Sequence, residues 1–123
     1  MPHASVTLPD GTTVDVEVPR TREQRLRGLM FRESIAENTG MLFVLARPDR
    51  YAVWMKNVVV PLDIIWLDAS GLVVWVKESA EPCAVDPCPL YLPGAQASYV
   101  LELNGGSARA HGVRPGVRIL IRR

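Results

Sequence analysis

The stretch "YAVWMKNVVVPLDIIWLD", residues 51–68, decides how this chain is read. It is almost wholly apolar and rich in β-branched and aromatic residues, which suits strands buried on both faces. Pro61 interrupts it, so it reads as two strands, "YAVWMK" at 51–56 and "DIIWLD" at 63–68, joined by "NVVVPL". Its polar residues Lys56, Asn57 and Asp63 are then either parts of a site or staples of the connection. On a strand, Trp54 and Lys56 share one face and Val53 and Met55 the other. A return across "NVVVPL" brings Asp63 beside Lys56 and next to an indole, an arrangement that suits a small polar ligand. In the structural alternative Asn57 and Asp63 bond the loop backbone and Lys56 pairs with Asp63.

Working outward, the same composition recurs. "GMLFVLA", "LVVWVKE", "SYVLEL" and "VRILIRR" read as further strands, separated by "RPDR", "ASG", "NGG" and "RPG" turn signals. At the start, "PDG" separates "HASVTL" from "TTVDVEV", where Val14, Val16 and Val18 point one way and Asp15 and Glu17 the other. Thr21 and Gln24 match a capping box, and Leu26, Leu29 and Met30 follow at helical spacing, with Gly28 keeping the helix short. Residues 80–94, "AEPCAVDPCPLYLPG", hold four prolines and cannot form a central strand. The expected fold is mostly β, an antiparallel β-sandwich or partly closed β-barrel with one short α-helix near residues 22–30.

The length of 123 residues suits one domain, 1–123, with a single hydrophobic core. Hydrophobic residues make up 48% and charged ones 22%, which predicts an ordinary globular domain with a charged surface. A net charge of +1 argues against a dedicated nucleic-acid binder. The balance hides a basic run, "RTREQRLRGLMFR", with Arg20, Arg22, Arg25, Arg27 and Arg32 against Glu23 alone. Such a run suits an acidic partner or phosphate, or simply a solvated helix face. No apolar run is long enough to span a bilayer, and "MPHASVTLPDG" has no secretory character. The chain is expected in the cytoplasm as a monomer, or outside it if a leader has been removed.

Cys83 and Cys88 in "EPCAVDPCP" are close enough for a disulfide in an oxidising compartment and lack the further ligands of a zinc site. Met30, Met41 and Met55 could offer thioethers to Cu(I), but their apolar settings suit core packing. His3 and His111 have no partner at ligand spacing and read as surface residues. No serine has a nucleophile-elbow context, no Cys-His arrangement is evident and no phosphate loop is present. Glu102 in "YVLELN" is an apolar-strand carboxylate. Near Asp63 it would share a site for acid and base work, whereas an ordinary structural role pairs it with Arg32 or Arg109.

In "RGLMFRE", "GMLFV", "WMKNVVVPLDIIWLD" and "YVLELNGG" the chain resembles, in order, the bacterial and archaeal domain-of-unknown-function family 192, from about Arg20 to the end. The resemblance implies a small β-sandwich or barrel with a short helix and carries no established activity; some members have secretory or lipoprotein leaders. It marks Arg27, Gly28, Met30, Arg32, Gly40, Met41, Trp54, Met55, Lys56, Asn57, Pro61, Leu62, Asp63, Leu101 and Glu102. The chain departs from it at Val117, where an aspartate is usual after the glycine, and at Val58, where a threonine is usual.

Together these readings predict a non-enzymatic binding or accessory module for a small polar, saccharide-like ligand or a protein partner, needing no cofactor and no metal. The predicted site is Trp54, Lys56, Asn57, Asp63 and Glu102, with Arg32 as an anion contact. The competing expectation is a hydrolase using Asp63 and Glu102 as acid and base. A third is an interaction module using the proline-rich segment and the arginine helix.

Overall fold

In the computed structural model, which describes residues 1–123, the N-terminal alternation folds as a hairpin. Strand β1 (His3–Thr7) pairs antiparallel with β2 (Thr13–Glu17) around the Pro9–Gly11 turn, and Val6 and Val14 face each other in the register. Helix α1 (Arg22–Arg27) follows, with Thr21 and Gln24 forming the expected capping box. Gly28, at a φ of 48°, ends it earlier than the apolar spacing predicts. Leu29 therefore enters the core from the turn, while Leu26 stays exposed.

The remaining elements are β3 (Thr39–Asp49), β4 (Val53–Trp54), β5 (Leu62–Leu67), β6 (Val73–Ala80), β7 (Leu90–Tyr91), β8 (Ala97–Asn104), α2 (Ser107–Ala110) and β9 (Leu120–Arg122). Seven strands form one sheet in the order β6-β5-β8-β3-β2-β1-β9. Every pairing is antiparallel, as expected, except β2 with β3, which is parallel. The chain leaves β2 and returns through α1, and only such a crossover allows two neighbouring strands to run the same way. The sheet curls until its edges approach at one end, where Val73 and Val117 bond through their backbones and Leu72 bridges Arg118. It does not close into a barrel.

Both faces of the sheet are covered, and each has its own core. Val6, Val16, Leu42, Ile65, Leu101 and Ile119 belong to the inner one. Met41, Phe43, Met55, Ile64, Trp66 and Val100 belong to the outer one, to which Leu29 and Val58 add cover. All six residues of β5 are buried, as the quoted stretch predicts. Its first half behaves differently. Of "YAVWMK" only Val53 and Trp54 form a strand, and they pair with Leu90 and Tyr91 in a two-stranded ribbon. The proline-rich segment, expected to be loop throughout, thus supplies a short strand, located where prolines can flank it without breaking a central ladder.

Gly40 has a definite packing reason. A Cβ there would stand 2.4 Å from the Glu102 carbonyl oxygen and 2.8 Å from a Leu103 methyl, so only glycine lets β3 lie this close to β8.

Candidate functional site

Strand β8 lies between β3 and β5, and its alternation sends Leu101 and Leu103 to the inner core and Val100 and Glu102 to the outer face. Glu102 is directly flanked by Met41 on β3 and Ile64 on β5. Its side chain is only 6% exposed. Neither arginine expected to pair with it does so, because Arg32 forks onto Glu17 and Arg109 reaches Glu78 at 3.3 Å. Burial alone pushes the Glu102 carboxyl up from 4.5 to about 7, with no charge or hydrogen bond acting on it.

That carboxyl faces a cavity of about 120 Å³ between the sheet, the end of α1 and the β4 ribbon. Leu29, Phe43, Val53 and Val58 wall it, Trp54 and Tyr51 stand at one side, and Arg25, Arg27 and Lys56 contribute cations. Arg25 and Arg27 are exposed and Lys56 half-buried, so they belong to the mouth, and the buried acid belongs to the floor. Each cation has its own local partner. Arg25 donates to the Arg20 carbonyl at 2.8 Å, Arg27 lies 5.7 Å over the Phe31 ring, and Lys56 Nζ donates to Asp86 at 2.7 Å. Tyr51 is held in position because its carbonyl accepts the buried Trp66 indole N–H at 2.8 Å.

Trp54, Lys56 and Glu102 are therefore brought together as the sequence suggests, and Asn57, Asp63 and Arg32 are not. Asp63 is fully buried on the opposite face, where it accepts from the backbone N–H groups of Ser79 at 2.8 Å, Gly106 at 3.1 Å and Ala108 at 2.7 Å. It pins the start of α2 and the end of β6, so it is a staple, and Lys56 pairs with Asp86 instead. Asn57 is a staple through its backbone: at a φ of 60° its N–H donates to the Cys83 carbonyl and its carbonyl accepts from Phe31, both at 2.8 Å. Arg32 grips Glu17 with both nitrogens, and this pairing holds the Glu17 carboxyl below its usual range.

Arg25, Arg27, Tyr51 and Phe43 line the cavity without having been singled out. The arginine run was the only signal for Arg25, Arg27 was marked by the family resemblance as well, and a basic run says nothing of which arginine turns toward a sheet. His111, read as a surface residue, is half-buried and reaches Asp10 at 2.7 Å, holding that carboxyl down at about 2. Cys83 and Cys88 form a disulfide with Cα atoms 5.9 Å apart, so neither offers a thiol to a metal. No cluster of three His, Cys, Asp or Glu side chains could hold a metal ion, and no helix is long and apolar enough to cross a membrane.

The fold and cavity define a small, mostly β domain whose curled sheet carries an acid-floored pocket on its outer face. The chain belongs to the domain-of-unknown-function family DUF192, described as "Uncharacterized ACR", whose model matches residues 5–121. The match begins well before the motifs that first suggest it, because the N-terminal hairpin is part of the sheet. Among curated proteins none matches the chain. Two similar crystal structures share the fold. One, from Sinorhizobium meliloti 1021, is described as a candidate transcription regulator; it is 31% identical with a TM-score of 0.83, over 97% of this chain and 92% of that one. The other, a protein of unknown function from Novosphingobium aromaticivorans DSM 12444, is 32% identical with a TM-score of 0.82, over 96% of this chain and 83% of that one.

Proposed function

We infer that this domain is a non-enzymatic binding module that takes a small polar group into the pocket floored by Glu102, beside Trp54 and Lys56. The observation that carries the reading is Glu102 itself. Its carboxyl bonds no protein group and is sealed from everything but the cavity, and a poorly solvated carboxyl of this kind is found where a ligand supplies what the protein withholds. A cavity of about 120 Å³ is smaller than the engineered apolar cavity of about 150 Å³ that binds benzene. It suits one polar group on a short stem better than a whole saccharide ring with its substituents.

The hydrolase reading loses its second carboxylate, since Asp63 faces the other side of the sheet. A role in transcription, suggested by the description of the S. meliloti relative, draws support only from the arginine run, and a net charge of +1 gives it little electrostatic footing. The disulfide suits an oxidising compartment.

The test is a titration with a panel of small amines, saccharides and inorganic anions, followed at the Glu102 carboxyl carbon and the Trp54 indole N–H by NMR. Saturable shifts at both, absent in Glu102→Gln, are the expected result. A pocket silent to every member of the panel overturns the reading.

A further inference from the structure

The surroundings of the pocket bear on what presents that polar group. Exposed large apolar side chains gather at its mouth: Leu26 from α1, Tyr51 before β4, and Trp54 on β4 all line the cavity. Leu90 stands directly opposite Trp54 in the β4–β7 ladder, hence on the same face, and is 66% exposed; Leu92, two residues on, is exposed too. A ligand small enough for the cavity cannot cover this rim. Exposed apolar side chains grouped around a pocket are the anatomy of a surface that receives an anchoring side chain.

The charges say which side chain. At the mouth Lys56 is neutralised by Asp86, while Arg25 and Arg27 meet only the Arg20 carbonyl and the Phe31 ring, which leave their charges in place; Glu102 on the floor is the one carboxyl in the pocket and bonds no protein group. The floor therefore wants a donor, and a cationic one gives the strongest bond. Lysine and arginine reach such a floor on an apolar stem that matches the Leu29, Phe43 and Val58 walls.

Building on the binding reading above, we propose that the pocket receives a lysine or arginine side chain of a peptide segment, whose apolar neighbours cover Leu26, Trp54 and Leu90 around the buried, unpartnered Glu102. Acidic residues of that segment would complement the cations of the mouth.

The decisive experiment selects from a heptapeptide library with all positions varied, using the intact chain and its Glu102→Gln variant, alongside an NMR titration with n-butylammonium. Enrichment of lysine or arginine at one position with apolar neighbours is expected, and affinity should fall about tenfold or more in Glu102→Gln. Leu90→Ala should weaken the selected peptides several-fold and leave n-butylammonium binding unchanged. If n-butylammonium titrates Glu102 but the library shows no basic preference, the peptide inference falls and the pocket reading stands. If neither acts at Glu102, the peptide inference falls, and the binding reading falls with it when the saccharides and anions of the panel are silent as well. Binding to vesicles of anionic phospholipid that protects the rim equally in Glu102→Gln, without basic enrichment from the library, overturns the peptide in favour of a lipid surface.

Discussion

Asp63 and Glu102 lie on paired strands one register step apart, with Asp63 opposite Leu103 and Ile64 opposite Glu102, and their carboxyls leave opposite faces of the sheet. Nearness in the ladder thus separates them. A pair of carboxyls working on one glycosidic bond stands roughly 5 to 9.5 Å apart with the substrate between them, not a sheet. One acid is tied into the backbone by three N–H groups, and the other is left without a partner beside a cavity. Substituting each should have opposite consequences.

Glu102→Gln should stabilise the protein at neutral and higher pH. The folded state holds the Glu102 proton up to about 7 and the unfolded chain only to 4.5. Between those values the folded state binds more protons, so stability falls as pH rises and is level on either side. The loss amounts to about 3 kcal/mol for a shift of this size. Urea unfolding across this range should show the slope in the wild type and its absence in the variant. Identical profiles would mean that Glu102 is ionised throughout.

Asp63→Asn should destabilise by about 2–4 kcal/mol, because the amide has one acceptor oxygen where three backbone donors converge. The chemical shifts of Trp54 and the Glu102 carboxyl should hardly move, since the pocket is on the other face. Loss of the pocket signals with the fold intact would contradict the separation of the two faces.

Removing the disulfide with Cys83→Ser and Cys88→Ser should cost about 2 kcal/mol, the loop-closure value for so short a ring. Cys83 bridges Lys56 in the backbone and accepts from the Asn57 N–H at 2.8 Å, so these two amides should report the change first. Denaturant midpoints and amide exchange rates, measured in the oxidised chain and the variant, would check both parts. An unchanged midpoint would show that the ring is held equally well by Lys56 and Asp86.

Gly40→Ala should destabilise by about 1–3 kcal/mol or more, since the new methyl meets the backbone oxygen of Glu102 at 2.4 Å and backbone cannot step aside as a side chain can. The expected sign is a fall in melting temperature together with shifts along β8. A neutral substitution would mean that β3 can part from β8 without loss.

The elements most legible in the sequence are those where local pattern and burial agree. Val14 and Val16 alternate with Asp15 because one face of β2 is dry, and the "DIIWLD" run is apolar on both sides because β5 has a core on each face. The capping box at Thr21 is local chemistry and could be read locally, whereas the helix stops at Arg27, short of the expected 30, because Gly28 takes a positive φ. Helix α2 was not foreseen: it has only four residues and is held at its start by Asp63 from another strand, a support no local pattern reveals.

What the sequence by itself determined is the class of fold, the buried strands and the membership of one family, while the pairing of Cys83 with Cys88 came from the structure. Which polar residues gather was decided by tertiary structure. The face a strand residue takes follows from parity within its own strand, but which residues of other strands share that face depends on register, and register is set by long-range pairing. A single step placed Asp63 under α2 and Glu102 over the cavity. The crossover through α1 then brought Arg25 and Arg27 to its mouth, and the ribbon of β4 and β7 brought Trp54 and Leu90 there. Each of those positions is the sum of contacts between segments distant in the chain, which a local reading of residues 51–68 could pose as a question but not answer.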